Sequence, residues 1–165
     1  EWVDWGQTVG GVLPRMDATW GPDMHGDLVG PPNALRVFAD GHSIQHGVMD
    51  LCINARDACE GKGTIRVTFG VERVDTEAAT LMRPEGEYVY AEVADDGPGM
   101  TDDVRERLFQ PFFTTKPPGQ GTGLGMAQVL GLMRQASGSV DVHTVLGQGT
   151  RVRLLFPRSR MPVEV

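Results

Sequence analysis

The sequence predicts an α+β domain built as a two-layer α/β sandwich, one mixed sheet carrying its helices on a single face. Three observations predict it. Residues 64–74 and 88–94 are runs of β-branched and aromatic residues, the composition of strands in a packed sheet. Residues 43–60 and 124–135 are apolar at helical spacing, the first stopped by Gly61 and Gly63 and the second opened by a glycine-rich turn. Residues 139–144 and 151–156 bracket Leu146-Gly147-Gln148-Gly149-Thr150, which predicts a terminal hairpin.

The remaining elements follow in order. Asp4 to Met16 predicts a helix capped by Asp4 and weakened by Gly10 and Gly11. Leu28 to Gly30 and Leu35 to Ala39 predict short strands on either side of the Pro31-Pro32-Asn33 turn. Residues 75–86 join the two long strands, and Asp102 to Leu108 predicts a short helix. Residues 109–122 carry Pro111, Pro117, Pro118 and several glycines and read as a loop, of a length that is usually functional inside a compact domain. No repeat, linker or low-complexity tract interrupts the chain, so residues 1–165 are read as one domain.

Composition excludes several classes. The chain has 165 residues, 40% of them hydrophobic and 22% charged, enough for one soluble core. Its net charge of −7 argues against nucleic acid and against an anionic membrane surface. No apolar run approaches the ~20 residues that cross a bilayer. No signal peptide is recognisable and the chain starts at Glu1, so a cytoplasmic piece of a longer protein is expected. Cys52 and Cys59, seven residues apart on one predicted helix, are about 10 Å apart by rise, too far to bridge. Buried reduced thiols are expected. His25 falls in a predicted loop; it and His42, His46 and His143 have no adjacent acid and read as structural or surface residues.

Four motifs carry chemistry. On the helix 43–60, Asp50, Asn54 and Asp57 recur at i, i+4 and i+7, a polar stripe on an otherwise apolar helix. Polar groups so hemmed in need a partner, and a ligand or metal supplies one. Asp95-Asp96-Gly97-Pro98-Gly99 ends a strand, placing a carboxylate where it can accept from an exocyclic amine while glycines let a ring lie against backbone. Arg107 to Lys116 form a Phe- and Thr-rich stretch. Gly121-Thr122-Gly123-Leu124-Gly125 precedes a helix, where N–H groups and the positive dipole end attract phosphate. It is neither a Walker motif nor a dinucleotide fingerprint.

In that order, N-A-x-D-A, D-x-G-x-G, F-x-P-F and G-T-G-L-G resemble the catalytic and ATP-binding domain of sensor histidine kinases. That family sits within the gyrase, heat-shock-chaperone, histidine-kinase and mismatch-repair ATPase superfamily. The stretch Gln110 to Lys116 followed by Gly119 to Gly125 looks especially like the hybrid kinases of bacterial two-component signalling. The resemblance implies that ATP and Mg²⁺ are the cofactors. It implies that Asn54 ligates Mg²⁺, that Asp95 accepts from the adenine amino group, and that Asp57 lines the same pocket. Gly97 and Gly99 would shape the adenine wall, and residues 100–121 would form a mobile lid anchored by Phe109 and Phe112. Lys116 would reach the phosphates, Gly121, Thr122, Gly123, Leu124 and Gly125 would cradle them, and Gly149 and Thr150 would flank the pocket.

Asp50 departs from the kinases, which usually carry Asn there; hydrolysing members usually carry a Glu general base. Asp50 reads either as that base or, as the favoured alternative, as a residue holding Asn54 or a metal-bound water. The implied reaction is transfer of the ATP γ-phosphoryl group to a histidine on a separate dimerisation and phosphoacceptor domain, with a response-regulator receiver served indirectly. Two alternatives stand beside it: an ATP hydrolase using Asp50, and a degenerate nucleotide-binding docking module.

Overall fold

A computed structural model describes residues 1–81, 83–111 and 125–158. Seven strands and five helices occur in the order β1 (Trp2–Asp4), α1 (Trp5–Gly10), α2 (Val12–Trp20), β2 (Met24–Val29), β3 (Arg36–Phe38), α3 (Gly41–Ala58), β4 (Gly63–Val74), β5 (Gly86–Asp95), α4 (Asp102–Arg107), α5 (Gly125–Gln135), β6 (Ser139–Val145) and β7 (Gly149–Pro157). Five strands form one sheet in the order β2-β4-β5-β7-β6. Its β2–β4 pair is parallel and the other three pairs are antiparallel, so the sheet is mixed as expected.

The strand alternation sorts the two faces. Ile65, Val67 and Phe69 of β4, Val89, Ala91 and Val93 of β5, and Val152, Leu154 and Phe156 of β7 share one core with Trp5, Val9, Val48, Leu51, Cys52, Val129 and Met133 of the helices. The opposite face carries a small cluster of Val74, Tyr88 and Leu155. Beside it, Arg153 bridges Glu72 at 2.8 Å and Glu92 at 3.2 Å and lies 4.0 Å from the Tyr90 ring centre. Helices therefore cover one face only.

Local chemistry explains the boundaries. Asp40 caps α3 by accepting from His42 N and Ser43 N. The chain leaves that helix through left-handed Glu60 (φ 55°) and Gly61 (φ 76°). Cys52 and Cys59 are buried and unbridged. Burial pushes the Cys52 thiol up to about 12, and burial together with the Asp95 and Asp96 charges pushes Cys59 up to about 11.

Three expectations change. The predicted helix 4–16 is two helices, α1 and α2, meeting at Gly11. Asp4 does cap α1, accepting from Gln7 N at 2.9 Å. Pro14 forces the break, since its ring would strike the carbonyl four residues back in a continuous helix; in α2 it sits in the first turn, where its missing N–H costs nothing. The strand placed at 28–30 runs instead over Met24–Val29, and His25 lies in that strand rather than in a loop. Its pairing with β4 overrides a weak local β propensity. Finally, β1 pairs with β3 in a two-stranded ribbon, three residues each, too short to show a period in sequence.

Candidate functional site

The helix-facing register of β5 runs Val89, Ala91, Val93 and ends in Asp95, so its carboxylate points to the helix layer. Thr150 of β7 is the direct pairing partner of Asp95 and shares that face, since Val152 and Leu154 follow it in the core. The Gly97 N–H donates to Asp95 Oδ1 at 2.9 Å, folding the chain back over the strand end. Burial raises the Asp95 carboxyl above its ordinary value; backbone hydrogen bonds from Gly97 and Thr150 oppose it, and Asp96 adds to it.

This turn meets the last turn of α3. A Cβ on Gly97 would stand 3.0 Å from Cys59 Sγ and 3.6 Å from the Ala58 carbonyl carbon. Asn54 lies four residues, about 6 Å along the helix, before Ala58 and on the same side. It is half-buried, as are Asp50 and Asp57. Three residues before Asp50, Gly47 is closed off by α5: a Cβ there would come within 2.8 Å of Leu132. Asn54 and Asp95 are thus on one side of the sheet and joined through the Gly97–Ala58 contact.

Asp50 holds an unusual position. Its Oδ2 is shielded from solvent and has no hydrogen-bond partner among the described residues. His46 Nε2 lies 3.6 Å away, a contact too long for a hydrogen bond. Desolvation raises the Asp50 carboxyl and the exposed His46 only partly opposes it. The i, i+4 spacing of His46 and Asp50 is visible in the sequence, although no acid stands directly beside the histidine. Asp57 is partly engaged: its Oδ1 accepts from Arg56 Nε at 3.1 Å and Nη2 at 2.9 Å.

Two glycines are required by geometry. Gly99 has φ +73°, and a Cβ there would collide with the Val145 carbonyl oxygen; Gly149 has φ +111°, and a Cβ there would collide with the Asp95 carbonyl oxygen. Beyond Gly99 the chain is tied to the sheet edge. Gly147 N donates to the Pro98 carbonyl at 2.7 Å, Met100 N to Thr144 Oγ1 at 2.8 Å, and Arg105 Nη2 to the Val142 carbonyl at 3.0 Å. The first part of the expected lid therefore carries α4, and Phe109 packs against the main core. Gly125 opens α5. Lys116, Gly121, Thr122, Gly123, Leu124 and Phe112 lie outside the described residues.

Residues 39–160 match the family described as histidine kinase-, DNA gyrase B- and HSP90-like ATPase. The chain belongs to that family. Among curated proteins it is 36% identical over 126 residues to the sensor kinase CckA of Brucella abortus (strain 2308), covering 74% of this chain and 13% of that protein. It is 31% identical over 130 residues to the sensory histidine kinase/phosphatase NtrB of Rhodobacter capsulatus, covering 76% and 35%. The sensor histidine kinase ZraS of Escherichia coli O157:H7 is 33% identical over 121 residues, with 73% and 23% covered. The chain therefore spans only about an eighth to a third of the length of these relatives. The catalytic domain of histidine kinase ThkA shares the fold at TM-score 0.76, with 22% identity and coverage of 96% and 95%. Full-length ShkA in complex with AMPPNP matches at TM-score 0.70 and 26% identity, covering 94% of this chain and 30% of that one. Among the described residues no helix is long and apolar enough to cross a membrane.

Proposed function

We propose that this chain binds Mg·ATP and presents its γ-phosphoryl group to a histidine on a separate dimerisation and phosphoacceptor domain of a two-component sensor kinase. The observation that supports it most is the meeting of the Asp95–Gly97 turn with the end of α3, one turn from Asn54. Asp95, with Thr150 beside it, takes the adenine edge. Gly97 and Gly99 let the ring lie against backbone, and Asp57 lines the pocket. Lys116 and the run from Gly121 to Gly125 hold the phosphates. ShkA, solved with AMPPNP, is consistent with an ATP site in such a domain.

The donor set fits Mg²⁺. Asn54 offers a hard oxygen ligand, and a turn earlier Asp50 carries a shielded carboxylate oxygen in need of a partner. Asn54 and Asp50 would hold the ion from the protein side. When bound, the ion neutralises charge on the transferring phosphoryl group. The protein's own part would be positioning: Asn54 would hold the ion and Asp95 would fix the base. The receiving histidine, and a receiver domain served after it, belong to other parts of the signalling system.

Isothermal titration with a non-hydrolysable ATP analogue, with and without Mg²⁺, tests this. Micromolar binding that strengthens with Mg²⁺ is expected; no binding in either condition refutes it. A second reading is favoured by Asp50 itself. A shielded carboxylate with a raised pKa and a His at its side has the attributes of a general base for ATP hydrolysis. It predicts steady phosphate release by the isolated chain, abolished in Asp50→Asn; unchanged or faster release in that variant removes it.

A further inference from the structure

The turn that carries Asp95 contains Gly97 and Gly99, which give it no stiffness of their own. Three neighbours hold it. On one side the end of α3 stands against Gly97, where a Cβ would meet Cys59 Sγ at 3.0 Å. On another, β7 closes on the strand end, and a Cβ at Gly149 would come within 3.2 Å of Asp96 Cα. The third hold is polar. The β4–β5 ladder ends at the pair Ile65 and Asp95, and one residue further a side chain takes over: Asp96 Oδ1 accepts the Thr64 N–H at 3.0 Å. Gly63 leaves room for that oxygen, since at φ +120° it carries no Cβ and one there would collide with Asp96 Oδ1. The same oxygen lies 4.0 Å from Cys59 Sγ.

The consequence falls on Asp95. Asp96 supplies the carbonyl carbon, and Gly97 the nitrogen, of one planar peptide unit. The N–H of that unit donates to Asp95 Oδ1 at 2.9 Å, so turning the unit takes the donor away from the carboxylate. A tie from the Asp96 side chain to β4 restricts the turning. We infer that Asp96 is a positioning residue for adenine recognition: through Thr64 it holds the Asp96–Gly97 peptide, and through that peptide the Asp95 carboxylate, in the orientation that meets the exocyclic amine. The inference rests on the adenine-binding reading above and adds to it a residue that acts through Asp95. The bond to Thr64 lies at the surface, so water replaces the carboxylate when it is removed. Orientation is lost and the fold is kept.

The test is isothermal titration of the chain, of Asp96→Ala and of Asp96→Asn with the β,γ-imido analogues of ATP and of purine riboside triphosphate, which lacks the exocyclic amine. The unaltered chain is expected to bind the ATP analogue about tenfold more tightly, the worth of one hydrogen bond. In Asp96→Ala that preference falls to about twofold while binding of the purine analogue is unchanged. Asp96→Asn, which keeps an oxygen for the Thr64 N–H, retains the preference. An unchanged preference in Asp96→Ala overturns the inference, as does an equal loss for both analogues, or a loss in Asp96→Asn as large as in Asp96→Ala. Amide hydrogen exchange read by NMR checks the tie in the unaltered chain, without any variant having to fold: the Thr64 N–H should exchange at least about tenfold more slowly than in an unstructured peptide. Exchange at the unstructured rate overturns the inference. An unaltered chain that binds neither analogue, or both equally, overturns the adenine reading itself, and this inference with it.

Discussion

Replacing Asp50 by Asn should stabilise the domain at neutral pH. The carboxylate has one oxygen shielded from water with no hydrogen bond, and its side chain is 18% exposed. Leaving a buried acceptor unsatisfied costs about 1–3 kcal/mol. The His46 contact at 3.6 Å returns part of this, at most about 1 kcal/mol for a pair whose imidazole is exposed. The net gain for the neutral amide is about 1 kcal/mol, which for a chain of this size raises Tm by about 2–4 °C. Because burial raises the folded-state pKa of Asp50, the penalty of ionising it is complete above that pKa. It disappears as pH falls through the raised value toward the unfolded one, so the advantage of Asp50→Asn should shrink on acidification. The contribution of the neighbouring His46 is separated by repeating the series in a His46→Gln background. Thermal melts followed by circular dichroism between pH 7 and pH 4 give both numbers. A lower Tm for Asp50→Asn at pH 7, or a gain that does not vary with pH, refutes the reasoning.

Other substitutions probe the site and the core. Asp95→Asn should weaken binding of an adenine nucleotide by about 10–100-fold, the loss of a charge-assisted hydrogen bond, with the fold retained; titration calorimetry with a melting control reads both. In the unaltered chain, adenine affinity should fall on acidification starting above the ordinary carboxylate range, because burial raises the Asp95 carboxyl and its ionised form is the stronger acceptor. Gly149→Ala should destabilise by more than about 1 kcal/mol, because φ +111° and the Asp95 carbonyl both exclude a Cβ, and should weaken nucleotide binding as β5 and β7 move apart. Leu154→Ala, fully buried between the sheet and the helices, should cost about 2–5 kcal/mol in urea unfolding while leaving the adenine-to-guanine ratio unchanged once folded.

The long elements were legible because their signals are local. The apolar band of α3 and the β-branched runs of β4 and β5 each state their period within a dozen residues. The mixed sheet with helices on one face follows from their order. The ribbon β1–β3 and the first half of β2 were not legible, since Trp2–Asp4 and Met24–Val29 become strands only through partners far along the chain. The split at Gly11 was half-signalled by the glycine pair, and Pro14 supplied the rest.

For the site, the sequence by itself determined which residue types were at hand: the stripe Asp50, Asn54 and Asp57 from helical spacing, and the carboxylate–glycine turn at 95–99 from strand-ending chemistry. Only the tertiary structure decided their company. Pairing in register set Thr150 against Asp95 and Thr144 against Thr150. Packing of the α3 end on Gly97 brought the stripe to that row, and burial left the Asp50 oxygen without a donor. The physical reason is range. Helical period and turn chemistry act over a few residues, whereas register and desolvation depend on which distant strands and helices come to lie side by side.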